Sequence, residues 1–204
     1  MTTQNSNPFC TRFTRPGELA FLFDGAESLE TIASCLKRHR ACQIVGPHGS
    51  GKTTLLESLQ SHLQQTGQRV VRIVQNDGNR SINATRQEIG SWSESTLVVI
   101  DGFEQLSWLR RHQLIKKANQ GRFRLLVTTH RDLGLPLAFR TRIDRELVHQ
   151  IVRQLQGDNS DWHIDNRDID SAIEKHPQNM REILFDLYDV WNAKKRVQQT
   201  QSAD

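Results

Sequence analysis

Apolar positions recur along this chain in two alternating rhythms. Across 27–38, Leu29, Ile32, Ala33 and Leu36 fall at helical spacing, and Asp24 or Ser28 is placed to cap the first turn. A short apolar strand over 42–45 follows and stops at Gly46. A helix starts near Lys52, with Leu55, Leu56, Leu59 and Leu63 on one face and Gly67 placed to end it. Residues 69–74 are β-branched and predict a strand, 76–83 a polar loop, and 85–90 a short helix. The continuous apolar run over 97–100, closed by Asp101, suits a strand buried in a parallel sheet. A helix then spans Leu106, Leu109, Leu114, Ile115 and Ala118 and stops near Gly121. A strand over 124–129, a loop over 131–136 and a last short strand over 141–143 complete this pattern.

Beyond that point the strand rhythm ceases. Helices are predicted over 146–155, 168–175 and 180–191, with a polar loop over 157–166 and a polar tail from Lys194. Strands alternating with helices predict an α/β fold around a parallel sheet of about five strands, followed by a small helical lid. The expected division is an extended arm over 1–17, a core over 18–145, a helical lid over 146–192 and a polar tail over 193–204.

The 204 residues suffice for one large domain with a small appendage. No apolar run approaches the ~20 residues of a membrane helix, and the first residues lack the apolar core of a secretory signal. Cys10, Cys35 and Cys42 form neither a CxxC pair nor an even-numbered framework, so a reducing, cytoplasmic setting is expected. The 27 basic against 23 acidic residues leave a net charge of +4, too small to establish a nucleic-acid partner, although a pI of about 9.2 permits one. The tryptophans are scattered, without the basic–aromatic interleaving of single-strand binders.

The candidate chemistry begins where the first strand ends. Gly46, Pro47, His48, Gly49, Ser50, Gly51, Lys52, Thr53 and Thr54 fit G-x-x-x-x-G-K-[ST] followed by a helix. Glycines let a loop wrap backbone N–H groups around phosphate, and the helix N-terminus faces the same anion. Lys52 is placed to reach the β- and γ-phosphates and Thr53 to set a hydroxyl on Mg²⁺. Asp101, at the end of a buried strand about 50 residues on, is the expected second holder of that ion.

A predicted strand lies between these two motifs, and the arrangement resembles the additional-strand division of P-loop NTPases, which includes the AAA+ and STAND ATPases. Asp101, Gly102, Phe103, Glu104 and Gln105 are similar to the D-G-h-[DE]-E element of NACHT-type STAND ATPases. That resemblance implies Glu104 as the general base that polarises the attacking water. Gln105 stands where the second acid would be. The strand ending in Thr128, Thr129 and His130 resembles a sensor 1 strand, with Thr129 as the foremost candidate. His176 to Leu184 resembles the G-N-x-R-E-L segment of an AAA+ lid, which implies Arg181 as sensor 2, with Gln178 where glycine is usual. Arg131, Arg140 and Arg142 are candidates for an arginine finger.

The resemblance implies strand order 5-1-4-3-2, ATP and Mg²⁺ as cofactors, and ATP hydrolysis coupled to a lid or partner rearrangement. Two other readings remain: a nucleotide-dependent switch or adaptor with negligible turnover, and a P-loop phosphotransferase. So little chain remains outside core and lid that a protein partner or self-association is expected, with no membrane partner.

Overall fold

The computed structural model describes residues 6–75, 78, 80–82, 84–157 and 164–201. In chain order the elements are α1 (Thr11–Thr14), α2 (Leu29–Arg38), β1 (Ala41–Val45), α3 (Lys52–Gln65), β2 (Arg69–Val74), α4 (Arg86–Gly90), β3 (Thr96–Asp101), a 3₁₀ turn (Phe103–Gln105), α5 (Trp108–Asn119) and β4 (Arg124–Thr129). β5 (Leu137–Arg140), α6 (Arg145–Gln156), α7 (Asn166–Lys175) and α8 (Met180–Gln201) follow. Ser28, not Asp24, caps α2, its hydroxyl accepting from Thr31 N–H. Thr85 and Glu88 close a reciprocal capping box on α4.

The strands form one sheet in the order β2-β3-β4-β1-β5, with every pair parallel. This α/β arrangement is the expected fold and the expected order. Parallel neighbours need crossovers, which explains the helices between strands. β1 and β3 are buried along their whole length, as strands inside a parallel sheet are. The described residues divide into two compact units, one of them Phe23–Pro47 with Lys52–Thr141. In this sheet unit Val98, Ile100, Leu125 and Val127 pack with Phe103, Leu106 and an edge-to-face Trp92–Phe123 pair 5.0 Å apart. Gln43 is buried in β1, and its amide is satisfied by Asp132 (2.6 Å), Leu135 O (2.7 Å) and Leu133 N–H (2.9 Å).

The last strand lies at Leu137–Arg140, ahead of the expected 141–143. Phe139 is the buried residue of that segment and meets the Phe23 ring edge-on at 5.4 Å. Thr141 still donates its N–H to Val45 O at 2.9 Å, but Ile143 belongs to the helical cluster.

The second unit combines described residues of Met1–Leu22, His48–Gly51 and Arg142–Asp204. Its core is built from Phe9, Ile143, Val148, Val152, Ile169, Leu187 and Trp191, among others. The arm expected to be extended over 1–17 is therefore different in its described part. Phe9 is fully buried in that core, Asn7 donates to Tyr188 O at 2.9 Å and accepts from Phe9 N–H, and Thr11–Thr14 make a helical turn. An aromatic ring that finds apolar partners gains more than an exposed strap would. The expected polar tail likewise continues as α8 to Gln201, because its Ala, Lys, Arg and Gln residues favour helix and Lys194 pairs with Asp165 and Asp168. Most of the polar loop expected over 157–166 and part of that over 76–83 lie outside the described residues.

Candidate functional site

Strand β1 delivers the glycine-rich loop. Gly46 extends the ladder by donating its N–H to Thr129 O at 3.1 Å. Gly49 and Gly51 then take φ of +70° and +87°, which side chains rarely adopt. Both are also tightly faced: a Cβ on Gly51 would stand 3.3 Å from the Phe21 ring, and one on Gly49 only 1.9 Å from Asn179 Oδ1. Lys52 opens α3 and is buried, with Nζ donating to Gly46 O and Pro47 O at 2.7 Å each. Burial pulls its pKa below the usual lysine value, while Glu104 and Asp101 push it back up. Both carboxylates therefore act on the same ammonium. Thr54 follows as a half-buried residue, and His48 is exposed.

Asp101 ends β3 with both carboxylate oxygens engaged. Oδ2 accepts from Thr53 Oγ1 at 2.9 Å, and Oδ1 from Thr128 Oγ1 at 2.6 Å. The Thr128 hydroxyl oxygen also accepts from Gly102 N–H at 2.9 Å. Arg72 of β2 places Nη2 3.6 Å from Asp101 Oδ2 and pairs with Glu57 of α3. Sequence reasoning missed Arg72 as a site residue. Its signal was a charge in the middle of an otherwise apolar strand run.

Glu104 sits in the 3₁₀ turn just past β3, with Oε1 3.2 Å from His130 Nδ1 and Oε2 buried without a hydrogen-bond partner among the described residues. The foremost sensor candidate was Thr129, but the structure turns that residue away. Its hydroxyl donates to Arg131 O at 2.7 Å, whereas Thr128 bonds Asp101. Neighbouring strand residues face opposite sides, so a one-residue difference decides which threonine meets the carboxylate.

In the helical unit, Met180 N–H donates to Gly49 O at 3.1 Å. Asn179 caps α8, its Oδ1 accepting from Glu182 N–H at 3.4 Å. Arg181 follows as an exposed residue in the first turn of that helix. Gln178 has φ +65°, which explains why the resembling segment carries glycine at this place. Here a glutamine is held there by its own amide, which accepts from Ile143 N–H (3.1 Å) and donates to Ile143 O (2.5 Å). Of the three finger candidates, Arg140 pairs with Asp132 at 3.7 Å, and Arg131 and Arg142 are exposed. Cys42 is buried against Cys35 and its thiol is pushed up to about 12, which removes it as a nucleophile.

A phosphate loop on a buried parallel strand, a hydroxyl–carboxylate pair across Thr53 and Asp101, and this sheet order define a P-loop NTPase. A family model described as ABC transporter matches residues 29–203, and the chain belongs to that family of ATP-binding P-loop domains. No helix among the described residues is long and apolar enough to cross a membrane. The fold is similar to that of AMPPCP-bound DnaA from Aquifex aeolicus (TM-score 0.57, 18% identity, covering 90% of this chain and 68% of that one). It is also similar to a Walker-type ATPase of Pyrococcus abyssi (TM-score 0.58, 13% identity, 88% and 70%). A third likeness is domain III of the Thermotoga maritima replication initiation protein DnaA (TM-score 0.54, 14% identity, 80% and 82%). No curated protein sequence matches the chain.

Proposed function

We propose that this chain is a Mg²⁺-dependent ATPase whose turnover drives a rearrangement of the helical unit or of a protein partner. The observation that carries the reading is the Asp101 carboxylate, which engages Thr53 through one oxygen and Thr128 through the other, with Glu104 three residues on. An all-oxygen pair of hydroxyl and carboxylate fits a hard divalent ion. Bound there, Mg²⁺ would neutralise charge on the transferring phosphoryl group.

The chain's own residues supply the rest. Lys52 exchanges its two loop carbonyls for phosphate oxygens, and the loop N–H groups cradle the same anion. Glu104 accepts a proton as water oxygen attacks the γ-phosphorus, while the bond to the β,γ-bridging oxygen breaks and ADP leaves with that oxygen. Thr128, rather than Thr129, takes the sensor role, since it links the carboxylate to Gly102 N–H. Coupling runs through Gly49, whose carbonyl is held by Met180 and which lies tightly against Asn179, with Arg181 as the residue that reads the γ-phosphate.

A second reading, a switch with negligible turnover, is favoured by one contact: His130 stands against the very carboxylate that would activate water. Phosphate release by wild type, Glu104→Gln and His130→Ala separates the two. The ATPase reading expects wild-type turnover that falls about a hundredfold or more in Glu104→Gln with nucleotide binding retained. Equal, near-zero rates in wild type and Glu104→Gln refute it. Strong turnover appearing only in His130→Ala supports the switch.

A further inference from the structure

β2 is an edge strand, and its sequence sets one guanidinium, Arg72, between Val71 and Ile73. The parallel register pairs Arg72 with Val99 and Val74 with Asp101, so Arg72 and Asp101 share one face of the sheet. α3 meets that face with Thr53 and Glu57, four residues apart and therefore on one side of the helix. Thr53 donates to Asp101 Oδ2, Glu57 pairs with Arg72, and Arg72 Nη2 stands 3.6 Å from that same Oδ2. Three contacts thus link the four side chains in the order Thr53–Asp101–Arg72–Glu57. The contact between Arg72 and Asp101 is too long for a hydrogen bond, so Arg72 is bonded to Glu57 and acts on Asp101 through charge. Its Nε is buried without a hydrogen-bond partner among the described residues.

We propose that Arg72 is a positioning residue that sets the divalent-cation requirement of nucleotide binding. A guanidinium beside Oδ2 neutralises the carboxylate and makes it a poor ligand for a bare divalent ion. An ion that arrives with a triphosphate brings its own negative charge and tolerates the arginine. Glu57, already bonded to Arg72, is the carboxylate that keeps the guanidinium anchored when Asp101 turns to the ion. This inference rests on Asp101 being the metal-side carboxylate of the reading above.

The two carboxylates beside Arg72 make opposite demands. Removing the charge in Arg72→Gln frees Asp101 for the ion. Removing the second anchor in Glu57→Gln leaves Arg72 with Asp101 alone. The test uses the whole chain, a fluorescent ATP analogue and Mn²⁺, reading the Mn²⁺ concentration at half-maximal nucleotide binding. A unit charge at about 4 Å in partly buried surroundings is strong enough to move that midpoint about tenfold. The expected result is a midpoint about tenfold lower in Arg72→Gln and several-fold higher in Glu57→Gln. A merely structural ion pair lowers the melting temperature of both variants and leaves both midpoints at the wild-type value, which overturns the proposal, as do shifts in the same direction. Should Arg72→Gln fail to fold by circular dichroism, the Glu57→Gln shift decides alone: upward supports, unchanged refutes. Wild-type nucleotide binding that ignores Mn²⁺ altogether overturns the Asp101 reading and this inference with it. Wild-type dependence with unmoved variants overturns only the inference.

Discussion

Gln178 offers the sharpest quantitative test of how the helical unit is held together. Its backbone takes φ +65°, and its side-chain amide pairs with both the N–H and the C=O of Ile143, a buried residue. Gln178→Ala keeps the left-handed strain and leaves two backbone groups to find other partners. At about 1 kcal/mol net per hydrogen bond, the loss is about 2 kcal/mol. Gln178→Gly loses the same bonds but relieves strain of about 1–2 kcal/mol, offset by about 0.5–1 kcal/mol of extra unfolded-state freedom. Its net cost is therefore about 1 kcal/mol. For a chain of this size each kcal/mol moves the melting temperature by about 2–4 °C, so the alanine variant should melt about 4–8 °C low and the glycine variant about half as far. Thermal melts and urea titrations of the three proteins measure this. A glycine variant less stable than the alanine one, or an alanine variant indistinguishable from wild type, refutes the account of why glutamine is tolerated there.

Further outcomes follow from the site itself. Lys52→Ala should weaken nucleotide binding about a hundredfold without unfolding the chain, read by calorimetry with MgATP. Thr128→Val should weaken Mg²⁺-dependent nucleotide binding, because it strips a hydrogen bond from Asp101 and the acceptor from Gly102 N–H, while Thr129→Val should change it little. Comparing the two affinities distinguishes the neighbours directly. Gly49→Ala should destabilise the helical unit by about 2 kcal/mol, since its Cβ meets Asn179 Oδ1 and its φ is left-handed. Melting temperatures of that variant with and without Asn179→Ala should reveal coupling between the two sites. Asp170 is held below its ordinary carboxylate value of 3.8 by Arg145 first and His149 second. Its stabilisation is complete above the ordinary value and is lost as pH falls through the lower folded value. Asp170→Asn should therefore melt below wild type near neutral pH and converge with it in acid.

The phosphate loop, the buried strands and the alternation of layers were legible because each carries its information locally. The run ending in Asp101 could only be a buried strand, and the leucines of α3 repeat at helical spacing. What was not legible depended on which side of an element a residue faces, or on partners far away in sequence. Thr128 and Thr129 differ only in parity along β4. Ile143 looked like a strand residue until Gln178, 35 positions later, claimed its backbone. Phe9 lies in a polar stretch, and its place is made by a cluster that draws apolar residues from α6, α7 and α8. Arg72 was passed over as one charge in an apolar strand, because its chemical meaning comes from Glu57 and Asp101, which only the fold brings beside it.

The composition of the helical unit has a consequence for how the chain is made. Phe9 is synthesised well before Trp191, a member of the same buried cluster. At about 5–20 residues per second, a ribosome needs on the order of ten to forty seconds to supply them. The sheet unit, complete at Thr141, can settle in that interval, whereas the segment around Phe9 must wait with an apolar ring exposed. Residues 48–51 share the delay, because Asn179 and Met180 are made long after them. Residues 48–51 of the nucleotide loop therefore reach their final packing only after the helices that follow the sheet unit have been made.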